Sequence, residues 1–342
     1  MIIKIAEKSD IDDIQYFINS DWKENHILAR DKSFFKYEYL FNDKINFIIA
    51  KSENEIQGIL GFIPSKIYTK NKINYIENNS DFCATLWKVK KNNINPSTGL
   101  KLLQYLRDLN GSRVLFCVGI NKKTLGIHRY LGIYTGLLNH FVMINNKIKR
   151  FEIASVSNSN DFTNKHVLNN KFSVKIINSE IELSEYNFEK FKDRIPFKNK
   201  SYFTKRYFEH PIYQYKIYGV YFLNKLEAIF VTRIQQHNER KVIRIIDFYG
   251  NQKNIKIFSN FLLDLIVEKN YEYADFYCFG IDNSILESAG FKLVNQNSND
   301  LIIPNYFNPF LQQNIPIRFF LDSKEIDRAL LFKGDGDQDR PS

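Results

Sequence analysis

The sequence predicts an α/β protein built from two tandem copies of one unit. Three observations carry this. The stretch 114–133, VLFCVGINKKTLGIHRYLGI, opens with an apolar run, breaks at Gly119 and Asn121, and continues as a short helix-like segment that Gly132 ends. An apolar run bounded by turn residues reads as a buried strand, and a glycine behind the last apolar position reads as a helix C-cap. The same text returns 161 residues later, where Tyr277 to Asp282 echo Phe116 to Asn121 and Gly290-Phe291 echo Gly132-Ile133. Upstream, residues 33–39 (SFFKYEY) are echoed by 201–207 (SYFTKRY). Two echoes in the same order indicate a duplicated unit.

A chain of 342 residues with 44% apolar content can bury two cores. The first unit is expected over 1–146, a polar linker over 147–170 and the second unit over 171–342. No apolar run approaches the ~20 residues that span a bilayer, and MIIKIAEKSD has no signal-peptide layout; a cytoplasmic protein is expected. Cys83, Cys117 and Cys278 sit inside apolar runs without paired or metal-type spacing, so buried free thiols and no metal site are expected. The net charge of +10 suits an anionic partner. The lysines are scattered and no nucleic-acid motif appears, which favours phosphorylated small molecules over nucleic acid. The sequence leaves the oligomeric state open.

In chain order, residues 2–6 read as a strand, and Ile11, Ile14, Phe17 and Ile18 give a helical stripe. A short helix is expected at 34–40, strands at 46–52, 55–68 and 81–89, and a helix behind Pro96, which cannot continue a strand. Ser97 or Thr98 caps that helix. In the second unit, strands are expected at 172–178, 215–223, 226–234 and 241–249. Helices are expected at 184–193 and 255–268.

The strand, polar break, short helix and Gly-Ile ending of 114–133 resemble the second half of the acyl-CoA site of the GNAT superfamily. Its usual text is an apolar strand followed by N-x-x-A-x-x-x-Y-x-x-x-G-F. Asn121 takes the Asn position, Thr124 the Ala, His128 the Tyr and Gly132-Ile133 the Gly-Phe. In the family, R/Q-x-x-G-x-G/A at a helix N-terminus cradles the CoA pyrophosphate. Here Ile94 takes the first position, Asn95 and Ser97 the earlier glycine positions, and Gly99 the last glycine, with Thr98 beside it. The free amides and helix dipole that favour an anion survive these substitutions. The resemblance implies two tandem GNAT-like units, each a mixed, mostly antiparallel sheet flanked by helices, with acetyl-CoA or another acyl-CoA as co-substrate. It places the oxyanion-binding amide around Trp87, Lys88 and Val89, and the leaving-group acid at His128. An unperturbed imidazole titrates near ~6.5 and would shuttle a proton at neutral pH. Asp81, His26 and the C-terminal aspartates are candidates for the base.

Three further stretches, HILAR at 26–30, RYFEHPIYQY at 206–215 and DGDQDRP at 335–341, resemble acyltransferases encoded with bacterial surface-polysaccharide genes. The implied reaction is N-acylation of an amino sugar linked to a nucleotide. Arg30 and Arg206 would hold a phosphate or carboxylate through forked donors, and Tyr213 would stack on a sugar or base. Asp335, Asp337 and Asp339 would hold the acceptor from a tail whose removal after Lys333 costs little stability. Two other readings stand beside this one: an aminoacyl-tRNA-dependent transferase with paired GNAT-like units, and a non-catalytic acyl-CoA sensor or scaffold.

Overall fold

Strand β1 (Ile2–Glu7), helix α1 (Ile11–Phe17) and helix α2 (Lys32–Tyr39) open the chain. The computed structural model describes residues 1–41, 44–53, 55–64, 81–92, 95–110, 113–157 and 171–341. The Asp31 carboxylate caps α2 by accepting the Phe34 amide at 2.9 Å, a contact worth about 1 kcal/mol. Strands β2 (Lys44–Ser52), β3 (Glu55–Pro64) and β4 (Asp81–Val89) form an antiparallel meander. Helix α3 (Thr98–Asn110) then crosses over to β5 (Val114–Val118), which runs parallel to β4. Helix α4 (Leu125–Tyr130) leads to β6 (Tyr134–Leu137) and β7 (Asn139–Ile144).

The second unit repeats this plan. Strands β8 (Phe172–Ile177), β9 (Lys216–Phe222), β10 (Lys225–His237) and β11 (Arg240–Gly250) form its meander. Helix α5 (Ile255–Glu268) crosses to β12 (Tyr273–Phe279), followed by α6 (Asn283–Ser288), β13 (Lys292–Leu293), β14 (Arg318–Asp322) and β15 (Leu331–Phe332). The helix expected at 184–193 is two 3-10 turns, Glu182–Glu185 and Phe188–Phe191. Tyr186 is extended between them, so that its ring packs on Phe188 and Tyr249 in the aromatic core.

The duplication is visible at the helix ends. Gly132 and Gly290 both adopt positive φ, 70° and 89°, which glycine tolerates without a Cβ penalty. Each lets the next amide turn back, Ile133 to the His128 carbonyl at 2.9 Å and Phe291 to the Leu286 carbonyl at 3.0 Å. His128 and Leu286 therefore hold the same position in the two units.

The sheets do not divide at residue 146. The first runs β1-β2-β3-β4-β5-β14-β6 and the second β8-β9-β10-β11-β12-β7-β13. Each unit gives the other the strand that fills its gap. Strand β7 leaves the first sheet after one intervening residue, the buried Leu138, and pairs with β12 and β13. Strand β14 returns to pair with β5 and β6. Both are buried on both faces, as interior strands must be: Phe141 and Met143 against Val142 and Ile144 in β7, Phe319 and Leu321 against Phe320 in β14. The expected linker is also partly ordered, since Ser155–Val156 pairs with Leu301–Ile302; residues 158–170 lie outside the described residues. Among the described residues no helix is long and apolar enough to cross a membrane.

Candidate active site

Strands β4 and β5 pair only where Asp81 to Cys83 face Val114 to Phe116, and then part. The fork opens into a cleft of about 650 Å³ whose lining includes Trp87, Val89, Asn95, Ser97, Gly99 and Ile127. The Lys90 amide donates to the Gln57 carbonyl on β3 at 2.9 Å. Strand alternation therefore turns the Val89 and Trp87 amides towards the fork, where no strand among the described residues takes them. A bulge between Ala84 and Trp87 precedes them. Lys88, on the opposite face of the pleat, is not among the cleft residues, a correction to its expected role.

The turn before α3 is built by Asn95. Its side-chain oxygen accepts the Ser97 amide at 3.1 Å and the Ser97 hydroxyl at 2.7 Å, while the buried Thr98 hydroxyl donates to the Asn95 carbonyl at 2.9 Å. Asn95, Ser97 and Thr98 thus shape the turn, taking the Ser97 and Thr98 amides and leaving those of Gly99 and Leu100 without an acceptor among the described residues. A Cβ on Gly99 would meet Val89 at 3.3 Å and Trp87 at 3.5 Å, so glycine keeps the cleft open. Ile94 lies outside the described residues. Asn121 caps the turn before α4, accepting the Lys123 amide at 2.9 Å. It is a structural cap, and Thr124 lines the cleft instead.

The second fork is filled. Strands β11 and β12 pair only over Ile243 to Ile245 and Ala274 to Phe276. Beyond that point β15 takes the free edge of β12, pairing Phe332 with Cys278. The Phe332 ring stacks on Phe276 at 5.3 Å and meets Phe248 edge-on at 6.3 Å. The chain's own C-terminal segment occupies the space that the first fork leaves open.

Several expected site residues are structural. The Asp81 carboxylate is buried and accepts from Arg113 through both oxygens and from the Phe197 amide at 2.7 Å. His26 caps a helical turn, accepting the Leu28 amide at 3.2 Å, and burial with Lys23 and Arg30 nearby pushes its pKa down to about 4. Arg30 is exposed. Arg206 is buried, donating to the Asp339 carbonyl at 2.8 Å and the Tyr215 hydroxyl at 3.0 Å. Asp339 also binds Arg233 at 2.6 Å, whose guanidinium covers the Tyr213 ring. Asp335 pairs with the buried Lys198 at 2.7 Å. Asp81, Arg206, Asp335 and Asp339 are thus buried and committed to partners within the fold. Asp337 differs: 42% of its side chain is exposed.

His128 is fully buried, stacked on Phe320 at 4.3 Å with Trp87 at 5.8 Å. Burial pushes its pKa down to about 4, so the imidazole is neutral at pH 7, correcting the expectation of a shuttle titrating near neutrality. Neither ring nitrogen has a hydrogen-bond partner among the described residues, which costs about 1–3 kcal/mol. Replacing it with the residue of the other unit, His128→Leu, should raise thermal stability by roughly 1 kcal/mol. Turnover should fall less than about tenfold, with an unchanged pH profile. A loss near a hundredfold in a stable variant would return the proton to His128.

Sequence reasoning missed Glu38 and Arg340. The upstream echo held a signal for the first, because it sets Glu38 opposite Arg206. Both are buried and both face the C-terminal turn, Glu38 through Arg340 at 3.6 Å and Arg206 through Asp339.

Two solved structures share this architecture along nearly the whole chain. A GCN5-related N-acetyltransferase from Anabaena variabilis matches with a TM-score of 0.58 and 9% identity, covering 94% of this chain and 72% of its own. One from Kribbella flavida matches with a TM-score of 0.55 and 9% identity, covering 94% and 70%. No family model and no curated protein sequence matches the chain. The fold is that of the GCN5-related N-acetyltransferases, in a tandem arrangement.

Proposed function

We propose that this protein transfers an acyl group from CoA to the amine of an amino sugar, one carried on a nucleotide, for surface-polysaccharide assembly. The observation that carries the reading is the asymmetry of the forks: the first is an open cleft and the second holds the chain's own segment. A helix N-terminus with uncommitted amides suits a pyrophosphate. The Val89 and Trp87 amides suit a pantetheine arm and an oxyanion. The basic charge suits two phosphorylated substrates, and the three polysaccharide-type stretches favour the sugar acceptor.

Calorimetric titration with acetyl-CoA should show one site per chain. Gly99→Asp would place a carboxylate in the cleft beside Val89 and Trp87. Its dissociation constant should rise at least tenfold, about 1.4 kcal/mol. An unchanged constant in a folded variant would remove the placement, and no binding by the unaltered protein would remove the reading.

A further inference from the structure

The turn at Asp337–Asp339 carries one carboxylate that the fold engages only through a distant ion pair with Arg340. Asp335 and Asp339 are engaged by Lys198, Arg206, Arg233 and Tyr215. The Asp337 carboxylate accepts no hydrogen bond among the described residues; Arg340 Nε lies 3.9 Å away. Beside it, Glu38 is 3% exposed, and neither of its carboxylate oxygens accepts a hydrogen bond among the described residues. Arg340 Nε approaches it only to 3.6 Å. A buried carboxylate left without donors is costly unless a ligand supplies them.

The location is specific. The Asp335 carbonyl accepts the Cys83 thiol on β4 at 3.2 Å, and Gly336 packs on Val118 of β5 so closely that a Cβ would lie 2.1 Å from the Val118 carbonyl oxygen. Cys83 and Val118 belong to the core shared with α1 and α2, whereas Ala84, Leu115 and Cys117 belong to the core under α3. The turn therefore sits where β4 and β5 part, on the face away from α3. An acyl group that passes from the cleft between the parted strands emerges beside it.

We propose that Glu38 and Asp337 form the acceptor site for a primary ammonium group, and that Asp337 takes the proton that frees the amine. This rests on the acyl-transfer reading above. Glu38 and Asp337 accept hydrogen bonds from R–NH3+. Asp337 removes one proton and the neutral nitrogen attacks the thioester carbonyl. The C–N bond forms and the C–S bond breaks with its electron pair leaving on sulfur. The second proton of the attacking nitrogen ends on the thiolate, giving amide and free CoA.

The titration suits this role. Desolvation by the packed turn around it and the Glu38 charge push Asp337 up to about 6, against the pull of Arg340 and Arg206, although 42% of the side chain stays open to solvent, which weakens the desolvation. Tyr39 of α2 and Cys83 of β4 face the same recess, Cys117 of β5 lies on the far side of the sheet in the core under α3, and burial holds all three neutral. A base with a pKa near working pH is the effective one. Activity should fall as pH drops through about 6, where the carboxylate is protonated.

The test uses the full chain, acetyl-CoA, and glucosamine or UDP-glucosamine as the amine, with thiol release as readout. The unaltered protein should show a kcat limb near pH 6. Asp337→Asn should lower kcat at least a hundredfold and erase that limb, with the acetyl-CoA dissociation constant within twofold. Glu38→Gln should mainly raise the KM for the amine. Retained turnover and an unchanged limb in Asp337→Asn overturn the assignment, as does an unaltered protein with no limb near 6. Acetyl-CoA binding without transfer to either amine overturns the amine site alone, whereas no acetyl-CoA binding overturns the function reading and this site with it.

Discussion

Ending the chain at Lys333 is expected to abolish cooperative folding. The sequence reads this tail as an acceptor-holding end whose removal costs little stability, and the structure corrects the second part: Gly334, Asp335, Gly336 and Asp339 are buried between the units. Without Asp339, the buried Arg206 and the nearly buried Arg233 lose their carboxylate, and Lys198 loses Asp335. Removing one partner of a buried pair costs about 3–5 kcal/mol, and three cations are affected within one turn. Total stabilities of domains lie near 5–15 kcal/mol. Far-UV circular dichroism on heating should show a broad, non-cooperative change, or the chain should be insoluble. A soluble truncated chain with the native melting temperature would defeat this account.

Asp275→Ala should give the next largest loss. Asp275 of β12 is fully buried and binds Arg244 of β11 at 3.0 and 2.9 Å and His140 of β7 at 3.0 Å. Burial alone would raise its pKa; Arg244 and His140 overcome this and hold it down to about 2. A carboxylate depressed in the folded state stabilises above its unfolded value of ~3.9, and that contribution disappears as pH falls through about 2. Alanine leaves the Arg244 charge buried, supported by the carbonyls of Pro304 and Asn305. The expected cost at pH 7 is about 3–5 kcal/mol, read as a lower urea midpoint. The difference between variant and unaltered protein should shrink towards pH 2. A midpoint unchanged at pH 7 would show that the pair is not what joins β7 to β12.

Much of the first site was legible because it is local. Strands β4 and β5 and helix α5 begin and end where their apolar runs do, whereas the turn before α3 is built by the Asn95 side chain and not by the expected Ser97 or Thr98 cap. The strand exchange was not legible. Strands β7 and β14 are apolar on both faces, and that pattern does not say which sheet receives them. The tail was misread for a related reason. Acidic residues next to glycines look solvated until their cations are known, and the nearest partner of Asp339 in sequence among these, Arg233, is 106 residues away. Lone histidines misled in the same way: His26 and His128 sit where chemistry would want them, yet burial keeps both neutral at pH 7.

The exchanged strands also bear on how the chain is made. Strand β5 leaves the ribosome some two hundred residues before β14, the strand that must lie against it. Synthesis at ~5–20 residues per second imposes a wait of roughly ten to forty seconds during which the first sheet has an unsatisfied apolar edge. Unpaired edges of that kind invite pairing with other chains. The amino-terminal half therefore cannot mature ahead of the rest, as tandem domains usually do, and expression of residues 1–146 alone should give aggregate. Duplication here produced a single folding unit whose first sheet closes only once β14 has been made.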